Sequence, residues 1–127
     1  YSNKSINNLS IESLSFDGDR TLNNYLKSNL SRYKNSNSPK KILIEVITDY
    51  QKITLSKDAT GTANKYKLLA KVTFKIMPSG QTIVIKKEKI MENMNNKTDE
   101  KNFESSTKQT FANVMVEKLI LELAEIK

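Results

Sequence analysis

The 127-residue chain has no cysteine and no histidine, and only three glycines and two prolines. Without cysteine there is no disulfide framework and no thiol chemistry. Without histidine the commonest general base and the commonest metal ligand are both missing. Three glycines cannot supply a GxGxxG fingerprint, and neither a GxxxxGK phosphate loop nor an HExxH or CxxC pair occurs. No run approaches the ~18–20 apolar residues of a membrane-spanning helix. Ser105-Ser106 has no imidazole to act as its base. The carboxylates Asp17 and Asp19 flank Gly18 and read as turn and helix-cap chemistry rather than an acid/base or metal pair. Glu92, Asp99, Glu100 and Glu104 lie near the start of the last helical segment, where negative charge complements the helix dipole. The reading is therefore a non-enzyme with no catalytic residue, no metal site and no cofactor.

What is present is positive charge, unevenly spread. Residues 40–90 hold 11 Lys against 4 acidic residues, and the two ends nearly cancel, so the net +7 of the chain sits in its centre. A local positive field attracts phosphate-bearing partners and is weakened by salt. The bland alternative is a solvated, solubilising lysine face. The length suits one domain, residues 1–127, with a single core.

Hydrophobic spacing gives the order of elements. Residues 1–8 are polar and expected to be flexible. Leu9, Ile11, Leu14 and Phe16 form a first strand whose spacing slips after Ile11, the mark of a bulge. Asp19 or Thr21 caps a helix with Leu22, Tyr25, Leu26, Leu30 and Tyr33 on one face. Residues 34–39 are a turn-rich connector. The segment 41–55 is β-rich and reads as buried on much of both faces. Residues 93–102 read as a polar loop. From Phe103 to Ile126 a long helix carries Phe111, Met115, Leu119, Leu123 and Ile126 as one stripe, widened by Ala112, Val116, Ile120 and Ala124.

The clearest pattern lies at Ala63–Ile76. Leu68, Ala70, Val72, Phe74 and Ile76 alternate with Lys67, Leu69, Lys71, Thr73 and Lys75, so one strand face is apolar and the other mainly lysine. The next strand, 81–91, puts Ile83 and Ile85 on one side and Thr82, Val84, Lys86 and Glu88 on the other, with Lys87 and Lys89 facing away from Lys86. The expected fold class is α+β: a two-layer α/β sandwich in the order β-α-β-β-β-α, with two helices on one face of a roughly four-stranded, mostly antiparallel sheet. Lys65, Lys67, Lys71 and Lys75 share the open face or its margin and are candidate contacts for an anionic ligand. Leu69, Ile53 and Leu55 are candidate apolar contacts. An RNA-binding α/β sandwich ranks second, because such sheets stack bases on exposed aromatics and here Tyr66 and Phe74 fall on the apolar side.

The whole pattern resembles the LptE family of lipopolysaccharide-assembly outer-membrane lipoproteins. The matching features are the early strand leading to Asp17-Gly18-Asp19, the helix over residues 22–30, the strand around Ile42-Leu43-Ile44, the stretches 58–68 and 72–80, and the closing helix from Phe111 to Ile126. The resemblance implies a domain on the periplasmic face of the outer membrane, lipid-anchored through an N-terminal Cys upstream of this sequence. The start at Tyr1 fits a processed or trimmed chain. It further implies an LptD-like β-barrel partner that the domain plugs and helps assemble, lipopolysaccharide binding, and no nucleic acid. Family contacts to lipopolysaccharide map to Lys57, at the turn before the third strand, and to Lys97, in the loop before the last helix. Another periplasmic lipoprotein or secretion interaction domain of the same architecture is the alternative.

Overall fold

The computed structural model describes residues 9–34, 40–77, 79–94 and 96–125. The expected flexible segment 1–8, most of the connector 34–39, and Ile126 of the helical stripe lie outside them, as does the side chain of Ala124. The elements are β1 (Leu9–Asp17), α1 (Arg20–Leu30) continued by a 3-10 turn (Ser31–Tyr33), β2 (Lys40–Lys57), β3 (Ala63–Met77), β4 (Gln81–Glu92) and α2 (Lys97–Glu125). The sheet order is β1-β2-β3-β4. β1 runs parallel to β2 through the α1 crossover, and the other pairs are antiparallel. The fold is the expected α+β sandwich.

Both helices close over one sheet face. Leu22, Leu26 and Leu30 of α1 and Phe111, Met115, Leu119 and Leu123 of α2 join Ile44, Val46, Val72, Phe74, Ile83 and Ile85 in one core. These are the i, i+3, i+4 positions of the helices and alternate positions of the strands, so periodicity alone selects them. Each fully buried large apolar side chain contributes roughly 1.5–3 kcal/mol, which outweighs the poor intrinsic strand or helix preference of neighbouring Asn and Lys. The β1 irregularity falls between Ser13 and Ser15, as the slipped spacing predicts.

The β1–α1 turn is fixed by a polar knot. Gly18 has φ +106°, and a Cβ there would stand 1.8 Å from the Thr48 carbonyl oxygen of β2, so glycine is required by both torsion and space. Asp19 caps α1, its Oδ2 accepting from the Leu22 amide at 2.9 Å. Buried Thr48 accepts from the Asp19 amide at 2.9 Å through Oγ1 and donates to Asn23 Oδ1 at 2.8 Å. Asp17 and Asp19 thus serve turn and cap, and Asp19 also meets Lys108 of α2 at 3.0 Å.

Two expectations are corrected. β2 is not buried on both faces: Ile47 is 40% exposed and Leu43 only half-buried, because both helices lie on one side. The segment 97–102 is not loop but the first turn and a half of α2. Asn96 Oδ1 accepts from the Thr98 amide at 2.8 Å, and Glu100 reaches back to the Met94 amide at 3.0 Å. These two side-chain bonds tie down the entry to the helix and set an earlier start than hydrophobic spacing reveals. Lys97 accordingly opens the helix rather than sitting in a loop before it.

Candidate functional site

The face of the sheet away from the helices is the candidate interface. Pairing register arranges it in transverse rows. Ile47, Thr73 and Val84 form one row, Asp49, Lys71 and Lys86 the next, then Gln51, Leu69 and Glu88, then Ile53, Lys67 and Ile90. Two adjacent rows of mainly polar residues lie between rows that carry the apolar side chains, with Ile47, Ile53, Val84 and Ile90 between 37% and 50% exposed. No Phe or Tyr stands on this face among the described residues, since Tyr50, Tyr66 and Phe74 share the helix-covered parity.

The strand lysines are brought together on this face as expected, but not as a bare cationic patch. Lys75 lies opposite Glu45, Lys71 opposite Asp49, and Lys65 opposite Glu92. Lys67 Nζ reaches Glu88 Oε2 at 3.7 Å. On β1, Glu12 pairs with Lys41 at 3.8 Å. Carboxylates are thus interspersed among the lysines of this face, and among the described residues Lys67–Glu88 and Lys41–Glu12 are its ion pairs within 4 Å. Counting lysines along one strand misses this, because the partners Glu45, Asp49 and Glu92 sit on other strands and only the register places them opposite.

Beyond the helices the β2–β3 hairpin projects, with residues 51–62 exposed throughout. Ile53 and Leu55 are 37% and 44% exposed there. Its tip is rigidly built: Asp58 Oδ1 accepts from the amides of Thr60 and Thr62 at 2.9 and 3.0 Å and from the Thr60 hydroxyl at 2.6 Å. The Thr60 hydroxyl and these amides hold the Asp58 carboxyl below its usual range. Lys57 stands at this tip. Lys65 and Lys97 stand at the same end of the molecule, where the Asn93 amide donates to the Asn64 carbonyl at 3.0 Å. Lys57, Lys65 and Lys97 therefore cluster by end, while Lys67, Lys71 and Lys75 extend along the face.

The covered side of that end carries a network joining β2 to α2. The Tyr50 hydroxyl donates to Glu104 Oε1 at 2.7 Å, and Lys52 Nζ lies 3.2 Å from Glu104 and 3.6 Å from Glu100. Burial, then the bond to Glu104, drives the Tyr50 hydroxyl far above the ordinary phenol range. Burial opposes the Lys52 charge, but its hydrogen bond and attraction to Glu104, with Glu100 adding, hold it above the usual lysine value. Lys52 also stands 4.5 Å from the Tyr66 ring centroid, and Lys108 4.1 Å from that of Tyr50. Every member has its partner, so this network reads as a brace for the hairpin rather than a reactive site.

No family model matches the chain, and no curated protein matches it. Solved structures do. Rare lipoprotein B from Shewanella oneidensis superposes with TM-score 0.64 at 16% identity, covering 93% of this chain and 97% of that one. A candidate lipoprotein of Caulobacter crescentus gives 0.63 at 15% identity over 97% and 92%. Lipoprotein B of Nitrosomonas europaea gives 0.56 at 13% identity over 92% and 85%. The chain shares the fold of these lipoproteins. The likeness spans nearly the whole of both chains in each case, so the elements match as one unit. No helix among the described residues is long and apolar enough to cross a membrane.

Proposed function

We propose that the chain is a non-catalytic lipoprotein domain of LptE type. In this reading it is held at the periplasmic face of the outer membrane by a lipid anchor upstream of this sequence, plugs and helps assemble an LptD-like β-barrel, and contacts lipopolysaccharide in transit. Rare lipoprotein B is the LptE homologue, and the near-complete overlap with its fold supports the assignment.

The observation that carries the proposal is the uncovered outer face, with carboxylates interspersed among its lysines. A partner's polar wall can meet exposed Ile and Val that flank rows of lysines and carboxylates without stranding an ion away from water. The lumen wall of a β-barrel is such a polar surface. The absence of aromatics on this face among the described residues argues against base stacking, and hence against the RNA-binding reading. Lipopolysaccharide is assigned to the hairpin end, where Lys57, Lys65 and Lys97 supply point charges for phosphate and Ile53 and Leu55 supply apolar surface.

Affinity capture from solubilised outer membranes tests the barrel contact. Recovery of a large β-barrel is expected, and recovery of soluble proteins alone refutes the proposal. Replacing Lys57, Lys65 and Lys97 with Glu is expected to weaken lipopolysaccharide binding in a salt-dependent way, and unchanged binding removes the hairpin end from the site.

A further inference from the structure

β4 ends the sheet, and among the described residues no strand pairs with its outer edge. Its one neighbour, β3, leaves the charges of its outer face poorly served. Lys86 stands directly opposite Lys71, and like charges so placed destabilise a ladder. Among the described residues Lys86 has no carboxylate within ion-pair distance. Two positions on, Glu88 meets Lys67 at 3.7 Å yet keeps its side chain 60% exposed, which leaves room for a second ammonium. Val84 and Ile90 bracket these two charges and are 50% and 45% exposed. A strand complementary to this edge presents an apolar side chain to Val84, an anion to Lys86, a cation to Glu88 and an apolar side chain to Ile90. β4 itself, run antiparallel, supplies that order. β1, the opposite edge of the sheet, carries no cation.

We propose that two copies of the chain pair edge to edge through β4, antiparallel about a two-fold axis at Lys87. Val84 then opposes Ile90 of the second copy, Lys86 opposes its Glu88, and symmetry repeats both pairs. The two sheets become one continuous sheet. Edge lysines ordinarily guard a strand against such pairing. Here Glu88 turns the guard into a selector of register, because moving the axis to residue 86 or 88 sets Lys86 against Lys86 or Glu88 against Glu88. On the helix side, Lys89 of the second copy comes opposite Ile85, beside a groove of about 440 Å³ between β4 and α2. Leu121, 61% exposed, and Glu122 line that groove. The lysine stem covers the leucine while its ammonium faces the carboxylate. One like-charge contact remains, Lys87 against its own copy on the axis. A single edge pair is a small interface, so the association is weak. It occupies the edge and leaves the outer face open, so it does not rest on the barrel contact.

Sedimentation equilibrium of the 127-residue chain at low salt, from about 1 μM to about 1 mM, tests the pairing. A reversible monomer–dimer equilibrium is expected, with nothing larger. Lys86→Glu and Glu88→Lys each create two like-charge pairs across the axis and are each expected to weaken association about tenfold or more. Both residues are exposed, so the melting temperature should hold and monitors the fold. The double variant K86E/E88K restores opposite charges and is expected to recover the parent's association. Lys87→Gln removes the contact on the axis and is expected to tighten it. A parent that stays monomeric throughout refutes the proposal, as do species that keep growing beyond the dimer, the mark of β4 adding head to tail onto β1. A K86E/E88K variant no better than the single variants refutes the register and the assignment with it. A dimer unmoved by either single variant belongs to another surface, and the β4 pairing falls.

Discussion

Thr48→Val isolates the polar knot that positions β1 and α1 against the sheet. Valine matches threonine in shape, and Thr48 is 4% exposed, so packing is conserved. The hydroxyl, however, is the acceptor for the Asp19 amide and the donor to Asn23 Oδ1. Each partner left unsatisfied costs about 1–3 kcal/mol. Burying a methyl in place of the hydroxyl returns about 0.8 kcal/mol. The net expectation is a loss of about 2 kcal/mol, or about 8 °C in melting temperature for a domain of this size. Urea unfolding followed by circular dichroism measures it, with an unchanged m-value showing that the unfolded reference is the same. Thr48→Ser keeps the hydroxyl and loses only a methyl, so it should cost about half as much. If the valine variant loses less than about 0.5 kcal/mol, or the serine variant loses more than the valine, the hydroxyl is not what holds the turn.

Three further outcomes follow from the geometry. Gly18→Ala should cost about 3 kcal/mol or more, because torsional strain adds to a backbone collision with Thr48; a melting shift of a few degrees or less would contradict the fit. Ile47→Lys with Val84→Lys should leave unfolding within about 0.5 kcal/mol of the parent, both residues being exposed, yet abolish capture of the barrel. Retained capture would remove the outer face from the interface. Glu100 is held below its ordinary 4.5 chiefly by the Met94 amide, with Lys52 and Lys97 assisting. A depressed carboxyl stabilises the fold above the unfolded value and loses that contribution as pH falls through the folded one. Stability should therefore drop below about pH 4.5, and Glu100→Gln should flatten that part of the acid limb.

Strand and helix identities were legible because burial imposes periods of two and about 3.6 on any chain with one core. Leu68 to Ile76, Leu22 to Leu30 and Phe111 to Leu123 announce their faces without reference to anything distant. Capping was half legible: Asp19 stood out beside Gly18, whereas the Asn96 and Glu100 caps lay in a stretch that composition alone marks as loop. The exposure of Ile47 was not legible, since an apolar run looks alike whether one or both faces are covered.

The chain alone determined the element order, the two-layer α+β class, the core residues and the residue types that leave no imidazole or thiol for chemistry. It also gathered the positive charge into the central strands. The tertiary structure decided which of those charges are matched. Opposition of Lys71 to Asp49 and of Lys75 to Glu45 depends on strand register, and the contact of Lys52 with Glu100 and Glu104 depends on where α2 crosses the sheet. Electrostatic energy varies with distance through space, and separation along the sequence carries almost none of that information.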